Sequence, residues 1–235
     1  KIILTARAGI QLHGLNAQNI LEVFNKINNS QISTYQSFGD NIRNITSDVF
    51  HGIGKYNIIE VYPYIQQMQK YILNNPEYLG LLPRRISIGI SGSYANVNSF
   101  FASDIYFALA KKDNIYGFNV FLGGKNTQIA QDADIFLEKE DLLDFFIAFI
   151  EIFKEYGLRF DRDKNRLFHL IEKIGIEELK RYIENNNIEI DIEADGGINL
   201  ATAPDVKKAG ANILVSGTAI LMANDFKVII DELKK

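Results

Sequence analysis

Ser37-Phe38-Gly39-Asp40-Asn41-Ile42-Arg43-Asn44-Ile45-Thr46 packs a glycine, a carboxylate, two carboxamides and an arginine into one turn-like run. Gly39 permits a positive φ or a close approach, and Asp40 is suited to cap a following helix, with Arg43 emerging from its first turn. A rigid backbone carrying such groups can also face a polyanionic ligand. On these residues alone an ordinary capped helix start and an anion site both remain open.

Composition bounds the alternatives. The chain has 235 residues, 47% hydrophobic and 23% charged, enough for a substantial core in one or two domains. A net charge of -4 and a pI near 5.5 give no global reason to expect nucleic acid, so an anion site has to be a local cluster of arginines. The sequence has no cysteine, which excludes disulfides, thiolate zinc sites and a cysteine-held iron–sulfur cluster within it. His13, His51 and His169 have no i,i+4 partner among themselves, which argues against a histidine metal site. With no signal peptide and no long apolar run, the expected location is the cytoplasm.

Three short motifs in order give the opening run its context. The chain resembles the ferredoxin-dependent nitrite and sulfite reductases, whose first half carries T-R-Q-x-x-Q-L-H, then C-G-D-N-V-R-N-V, then L-P-R-K. Here these stand as Thr5-Ala6-Arg7-Ala8-Gly9-Ile10-Gln11-Leu12-His13, Gly39-Asp40-Asn41-Ile42-Arg43-Asn44 and Leu82-Pro83-Arg84-Arg85. The family binds sirohaem, an octacarboxylate macrocycle, and the resemblance implies that Arg7, Asn41, Arg43, Arg84 and Arg85 hold it. Asp104-Ile105-Tyr106-Phe107 and Gly117-Phe118-Asn119-Val120-Phe121-Leu122-Gly123-Gly124 resemble the family's D-I-x-F and G-F-N-V-L-V-G-G, which implies that Gly123 and Gly124 lie beside the macrocycle. By the same resemblance Arg43 and Lys125 are the catalytic cations facing a nitrite or sulfite oxyanion during six-electron reduction. A lysine in a polar loop is equally an ordinary solvated one. Arg159-Phe160-Asp161-Arg162-Asp163-Lys164-Asn165-Arg166-Leu167 resembles R-x-N-R-x-K-A-R-L, and its alternating charges read first as a helix start. The family's cluster-bearing second half is not part of this sequence. A ferredoxin-type electron donor and that second half are therefore the implied partners.

The expected elements follow from local pattern. Ile2-Ile3-Leu4 reads as a strand already under way, and the missing start methionine suggests a segment of something longer. Helices are expected over about 16–27, 61–74, 139–157 and 176–184, and strands over 33–36, 86–90, 104–108 and 116–122. Ile86–Ile90 alternates as a strand with two unlike faces. The expected divisions are residues 1–75 as a ferredoxin-like region, 76–184 as a haem-protein-like region and 188–235 as a βαβα extension.

The extension resembles a second family. Ile188–Ile198 reads as a strand ending in a glycine pair and Ala203–Gly210 as a short helix, followed by the strand Asn212–Ser216, a glycine turn Gly217–Ile220 and a last helix Asp225–Lys234. The sequence is similar to the last two units of ribulose-phosphate 3-epimerase, E-V-D-G-G-I-N-x-x-T-A-P and G-A-N-V-L-V-A-G-S-A-I. That likeness implies phosphate contacts from Gly196, Gly197, Gly217 and Thr218, with Asp195 as the acid. Two βα units cannot close a barrel, and their apolar faces call for packing on the preceding region or on another copy. The chain thus reads as a fusion or chimera of class α/β: a mixed, mostly antiparallel sheet with helices on one side, plus the βαβα extension. Its competing functions are a sirohaem-binding reductase half, a sugar-phosphate binder and an inactive chimera.

Overall fold

The computed structural model describes residues 1–235 except 6, 31, 33, 36–38, 95–99, 186–190, 209–210, 212, 224 and 235. The strand expected over 33–36 and the start of the strand expected from 188 therefore lie partly outside the described residues. A hairpin of β1 (Ile2–Leu4) and β2 (Ile10–Leu12) leads to α1 (Ile20–Asn28), β3 (Ile42–Ser47), α2 (Tyr62–Asn74), β4 (Ile86–Ser91), β5 (Ile105–Lys112), β6 (Ile115–Leu122) and β7 (Gln131–Glu138). Three helices follow, α3 (Leu142–Tyr156), α4 (Leu167–Ile174) and α5 (Ile176–Glu184). The chain closes with β8 (Asp191–Asp195), α6 (Ala203–Lys208), β9 (Ile213–Val215), α7 (Thr218–Leu221) and α8 (Phe226–Lys234).

Among the described residues β3 to β9 form one seven-stranded sheet in sequence order. The β3–β4, β4–β5 and β8–β9 pairs are parallel, whereas β5–β6, β6–β7 and β7–β8 are antiparallel. The α/β class and mixed sheet expected from sequence are present. The expected antiparallel majority is not, because α2 and the segment after β4 act as crossovers that return the chain parallel. The sheet also runs through the boundaries expected at 75/76 and 184/188. β8 adds to the edge of β7, so the tail strands join the main sheet.

The helix expected after Asp40 is strand β3. Ile42 and Ile45 are buried against the core and pair with Ile86 and Ile88 of β4, a use of β-branched residues that outweighs the capping grammar of the preceding turn. β4 departs from expectation as well, being buried along its whole length. Its helix-side face, Ile86, Ile88 and Ile90, enters the core, and its other face is covered by the short turn Phe100–Ala102. A Cβ on Gly89 would overlap the Phe100 ring, which accounts for glycine in mid-strand.

The core lies between the sheet and the helices. Phe145, Phe146, Phe149 and Phe153 of α3 are fully buried with Phe107, Phe118 and Val120 of the sheet. Each such aromatic contributes roughly 2–3 kcal/mol of burial. A smaller cluster of Ile198, Ala203 and Leu233 holds the tail together, while Leu221, Met222, Phe226 and Val228 remain exposed. The glycine turn expected at Gly217–Ile220 is the start of α7.

β7 was not expected from the sequence, although Ala133, Ile135 and Leu137 alternate as its buried face, and its pairing register with β6 is irregular. Asn119 faces Phe136 and Phe121 faces Asp132, so a step of two residues on β6 (119 to 121) is matched by four on β7 (136 to 132). The bulge places Asp134 at φ 51 with its carboxyl pKa raised, chiefly by burial. A raised carboxyl pKa contributes stability below the ordinary carboxylate range that is lost as pH rises through the native value. Asp134→Asn, which tolerates the same backbone, should therefore raise Tm at neutral pH. The gain should be under about 1 kcal/mol, because the side chain is more than half exposed and near Lys180. Thermal melts across pH 3–7 test this: the advantage should shrink towards acid, and a constant difference would refute the titration account.

Candidate anion site

Four elements deliver arginines to one place. The loop of the β1–β2 hairpin is closed by Thr5 N to Gly9 O at 2.8 Å and by Gly9 N to Thr5 Oγ1 at 3.1 Å. Asn44 Nδ2 of β3 donates to Ala8 O at 3.3 Å, so the loop carrying Arg7 is tied to the strand carrying Arg43. Arg85 immediately precedes β4, and Arg166 immediately precedes α4.

Asp104, just ahead of β5 and 1% exposed, is the counter-ion shared by Arg166, Arg7 and Arg43. Its Oδ2 accepts from Ser87 N at 2.9 Å and Ser87 Oγ at 2.6 Å. Its Oδ1 accepts from Arg166 Nε at 3.2 Å and Nη2 at 2.9 Å. Both carboxylate oxygens are thus fully engaged. Gly123 N donates to Asp104 O at 2.8 Å, and Arg166 Nη2 donates to Gly124 O at 3.3 Å, which holds the glycine pair to the same post. Gly123 has φ 81, and a Cβ on Gly124 would meet the carbonyl oxygens of Phe101 and Ser103. Both positions require glycine, one for its dihedral and the other for backbone approach.

The electrostatics follow. Burial lowers the pKa of Arg7, with Asp104 opposing and Arg166 and Arg85 adding repulsion. Burial likewise lowers that of Arg43, reinforced by Arg85 and Arg7 and then by Arg166, with Asp104 opposing. Guanidinium remains charged under such shifts. The result is a cluster in which Arg7 and Arg43 are repelled by each other, by Arg85 and by Arg166, with the one carboxylate of Asp104 opposing, in a chain whose net charge is -4. Among the described residues the guanidinium groups of Arg7, Arg43 and Arg85 have no hydrogen bond or ion pair, so their donors are unspent.

Other candidate residues are engaged differently. Arg84 pairs with Asp40 at 3.2 Å, and Arg162 binds the other Asp40 oxygen at 2.8 Å. Arg84 Nε is buried without a partner among the described residues. Asn41 is buried and its Oδ1 accepts from Gly80 N at 2.8 Å, so its side chain braces the turn before β4. Lys125 opens a tight turn to Gln128, and its ammonium lies 3.6 Å from the centre of the Phe168 ring. Ser87, Asp104 and Arg166 were not singled out in the sequence. Asp104 read as the start of a strand and Arg166 as part of a charge-alternating helix start, and only their spacing in three dimensions joins them.

The tail residues form a separate group. Asp195 is the last residue of β8 and pairs with Val215, Gly196 and Gly197 follow it, and Gly217 and Thr218 follow β9; Ser216 Oγ donates to Ile198 O at 2.7 Å, joining the two turns. Gly197 O is taken by Thr202 Oγ1 at 2.9 Å and Asn199 Nδ2 at 3.1 Å. Asp195 also lines a cavity of about 270 Å³ with Lys112, Asn119, Asp134 and Phe136, whose lining includes none of the four arginines. Among the described residues no cluster of histidine and acidic groups is arranged to hold a metal ion, and no helix is long and apolar enough to cross a membrane.

Comparison with known proteins gives the following matches. The family described as nitrite and sulphite reductase 4Fe-4S domain matches residues 38–191, and the ribulose-phosphate 3 epimerase family matches residues 168–221. The ferredoxin–nitrite reductase of Leptolyngbya laminosa is 29% identical over 188 residues, covering 77% of this chain and 37% of that protein. The chloroplastic ferredoxin–nitrite reductase of Arabidopsis thaliana is 26% identical over 189 residues, covering 77% of this chain and 32% of its own length. The chain therefore spans about a third of the length of these relatives. In fold it is similar to the NirA protein of Mycobacterium tuberculosis, with a TM-score of 0.72 at 22% identity over 78% of this chain and 34% of that one. A dissimilatory sulfite reductase gives a TM-score of 0.62 at 11% identity, over 80% of this chain and 62% of that one.

Proposed function

The chain belongs to the nitrite and sulphite reductase 4Fe-4S domain family, and from that premise we propose that it forms the sirohaem- and oxyanion-binding portion of a ferredoxin-dependent nitrite or sulfite reductase. The observation that carries this reading is the convergence of Arg7, Arg43 and Arg166 on the single carboxylate of Asp104, with Arg85 in the field of Arg7 and Arg43. An excess of positive charge with unspent donors matches the carboxylates of sirohaem, because planar guanidinium forks bind carboxylates two bonds at a time.

Sirohaem, when bound, supplies the iron at which nitrite or sulfite is reduced. The chain's own residues bind and orient. Arg7 and Arg85 hold peripheral carboxylates, Arg43 and Lys125 offer positive charge to the substrate oxyanion, and Gly123-Gly124 lets the backbone approach the macrocycle. Asn41 and Arg84 support this surface through Gly80 and Asp40. The residues do not fit a 4Fe-4S cluster, since the sequence has no cysteine to ligate one. Electrons from a ferredoxin-type donor would have to arrive through a cysteine-bearing segment outside these residues, so the role assigned to these residues is binding and orientation.

Expression with a sirohaem supply tests the reading. The purified chain should show a visible absorption band and bound iron; a colourless, iron-free but cooperatively melting protein would overturn it. A second reading, a sugar-phosphate site in a fused epimerase-like tail, is favoured by the joining of the two glycine turns through Ser216. It predicts that millimolar ribulose 5-phosphate or inorganic phosphate raises Tm, by about 2.7 kcal/mol of stability at a hundredfold excess over Kd. Against it stands the antiparallel entry of β8 beside β7, which extends an open sheet. The exposed Leu221, Met222 and Phe226 of this tail are the surface through which self-association would occur.

A further inference from the structure

We infer that the segment Arg166–Phe168 is a positioning element for the anion site, and that polyanion binding depends on the geometry it imposes and not on the count of positive charges. The inference rests on the function proposed above. Three contacts to the turn Gly123–Lys125 carry it, together with the fork of Arg166 on Asp104. Arg166 donates through Nε and Nη2 to Asp104 and through Nη2 to Gly124 O. The Phe168 ring lies under the Lys125 ammonium at 3.6 Å. The Phe168 Cα lies 3.6 Å from where a Cβ on Gly123 would stand, so α4 begins in contact with the turn.

Arg166 is fixed along one edge of its fork, while its Nη1 has no partner among the described residues. Its anchor is equally fixed: Asp104 is buried and its other oxygen is held by the backbone and hydroxyl of Ser87. The post Ser87–Asp104–Arg166 therefore links β4, β5, the glycine turn and α4 before any ligand arrives. Binding energy is then not spent on ordering these groups. Lys125 is held by the same segment through a cation–π contact, which directs an otherwise mobile loop cation.

Charge and geometry make opposite forecasts for Asp104→Asn. Removing the cluster's carboxylate raises its net charge by one, so a site working by charge alone should bind polyanions more tightly. A site working by position should bind them more weakly, because an amide cannot hold the Arg166 fork as a carboxylate does. Arg166→Lys separates the same alternatives at constant charge, since it keeps the cation and loses the fork.

The experiment titrates the full chain and both variants with uroporphyrin, a metal-free octacarboxylate tetrapyrrole, at low and high salt. Each variant should bind about tenfold more weakly than the unaltered chain, and Arg166→Lys should keep the unaltered salt dependence because its charge is unchanged. Tighter binding by Asp104→Asn, or unaltered affinity in Arg166→Lys, would overturn the inference while leaving the proposed function standing. No binding by the unaltered chain would overturn both. If Asp104→Asn loses its cooperative melt, Arg166→Lys decides the matter, since that side chain is 24% exposed and its replacement keeps the charge.

Discussion

Arg43→Gln should abolish the visible band acquired with sirohaem and at the same time leave Tm unchanged or raised. Arg43 is partly buried, has no partner among the described residues, and is repelled by Arg85, Arg7 and Arg166. Its charge is therefore a net cost in the free protein that Asp104 offsets only in part and a bound anion would offset further. Loss of a buried charged contact to a ligand weakens binding by about 3 kcal/mol, roughly a hundredfold, whereas removing one of several repelling cations relieves the fold. Arg84→Gln should show the reverse pattern. It breaks the pair with Asp40 and so lowers Tm, but retains most of the band. Absorbance and iron per chain, read beside the melting curve, separate the two, and a full band in Arg43→Gln would refute the assignment.

Gly124→Ala should cost about 3 kcal/mol of stability and remove tetrapyrrole binding, while Gly217→Ala should change neither. The new methyl at 124 would fall on the carbonyl oxygens of Phe101 and Ser103, which are backbone atoms and cannot rotate away. Displacing the turn also breaks the bond from Arg166 to Gly124 O. At 217 the backbone is at φ -86 and an added Cβ meets nothing within 4 Å, so alanine fits. Both glycines sit in turns after strands and look alike in the sequence. Denaturant melts with tetrapyrrole titration of the two variants give the comparison. A stable, binding-competent Gly124→Ala would show that the close approach is dispensable.

The reductase-like motifs combine unusual residues in a fixed order and so group Arg7, Arg43, Arg84 and Arg85, of which the structure brings Arg7, Arg43 and Arg85 into one another's field while Arg84 pairs with Asp40. Helices were legible where a long apolar stripe met a clear stop, as in α3 with Gly157 at its end. What failed was local grammar under tertiary competition. Asp40 looked like a cap, yet it is the acceptor for Arg84 and Arg162, and Ile42 and Ile45 made a buried strand. The polar start Gln131-Asp132 and the short run Ala133, Ile135 and Leu137 left β7 without a strong strand signal, and the two-faced pattern of β4 was overridden by Phe100 packing on Gly89.

By itself the sequence determined the absence of any thiolate ligand, the acidic net charge against which an arginine cluster stands out, and the periodicities that produce an α/β chain. Tertiary structure alone decided which arginines lie in one another's field. Arg84 and Arg85 are neighbours in the chain, but one is paired with Asp40 and the other lies in the field of Arg7 and Arg43. It also decided that Asp104, Ser87 and Arg166, spread over three elements, make the post beneath them. Periodicity and capping act over a few residues, whereas charge and hydrogen bonding act through space, so the pairing of a buried carboxylate is fixed only when distant strands and helices are brought within about 3 Å of it.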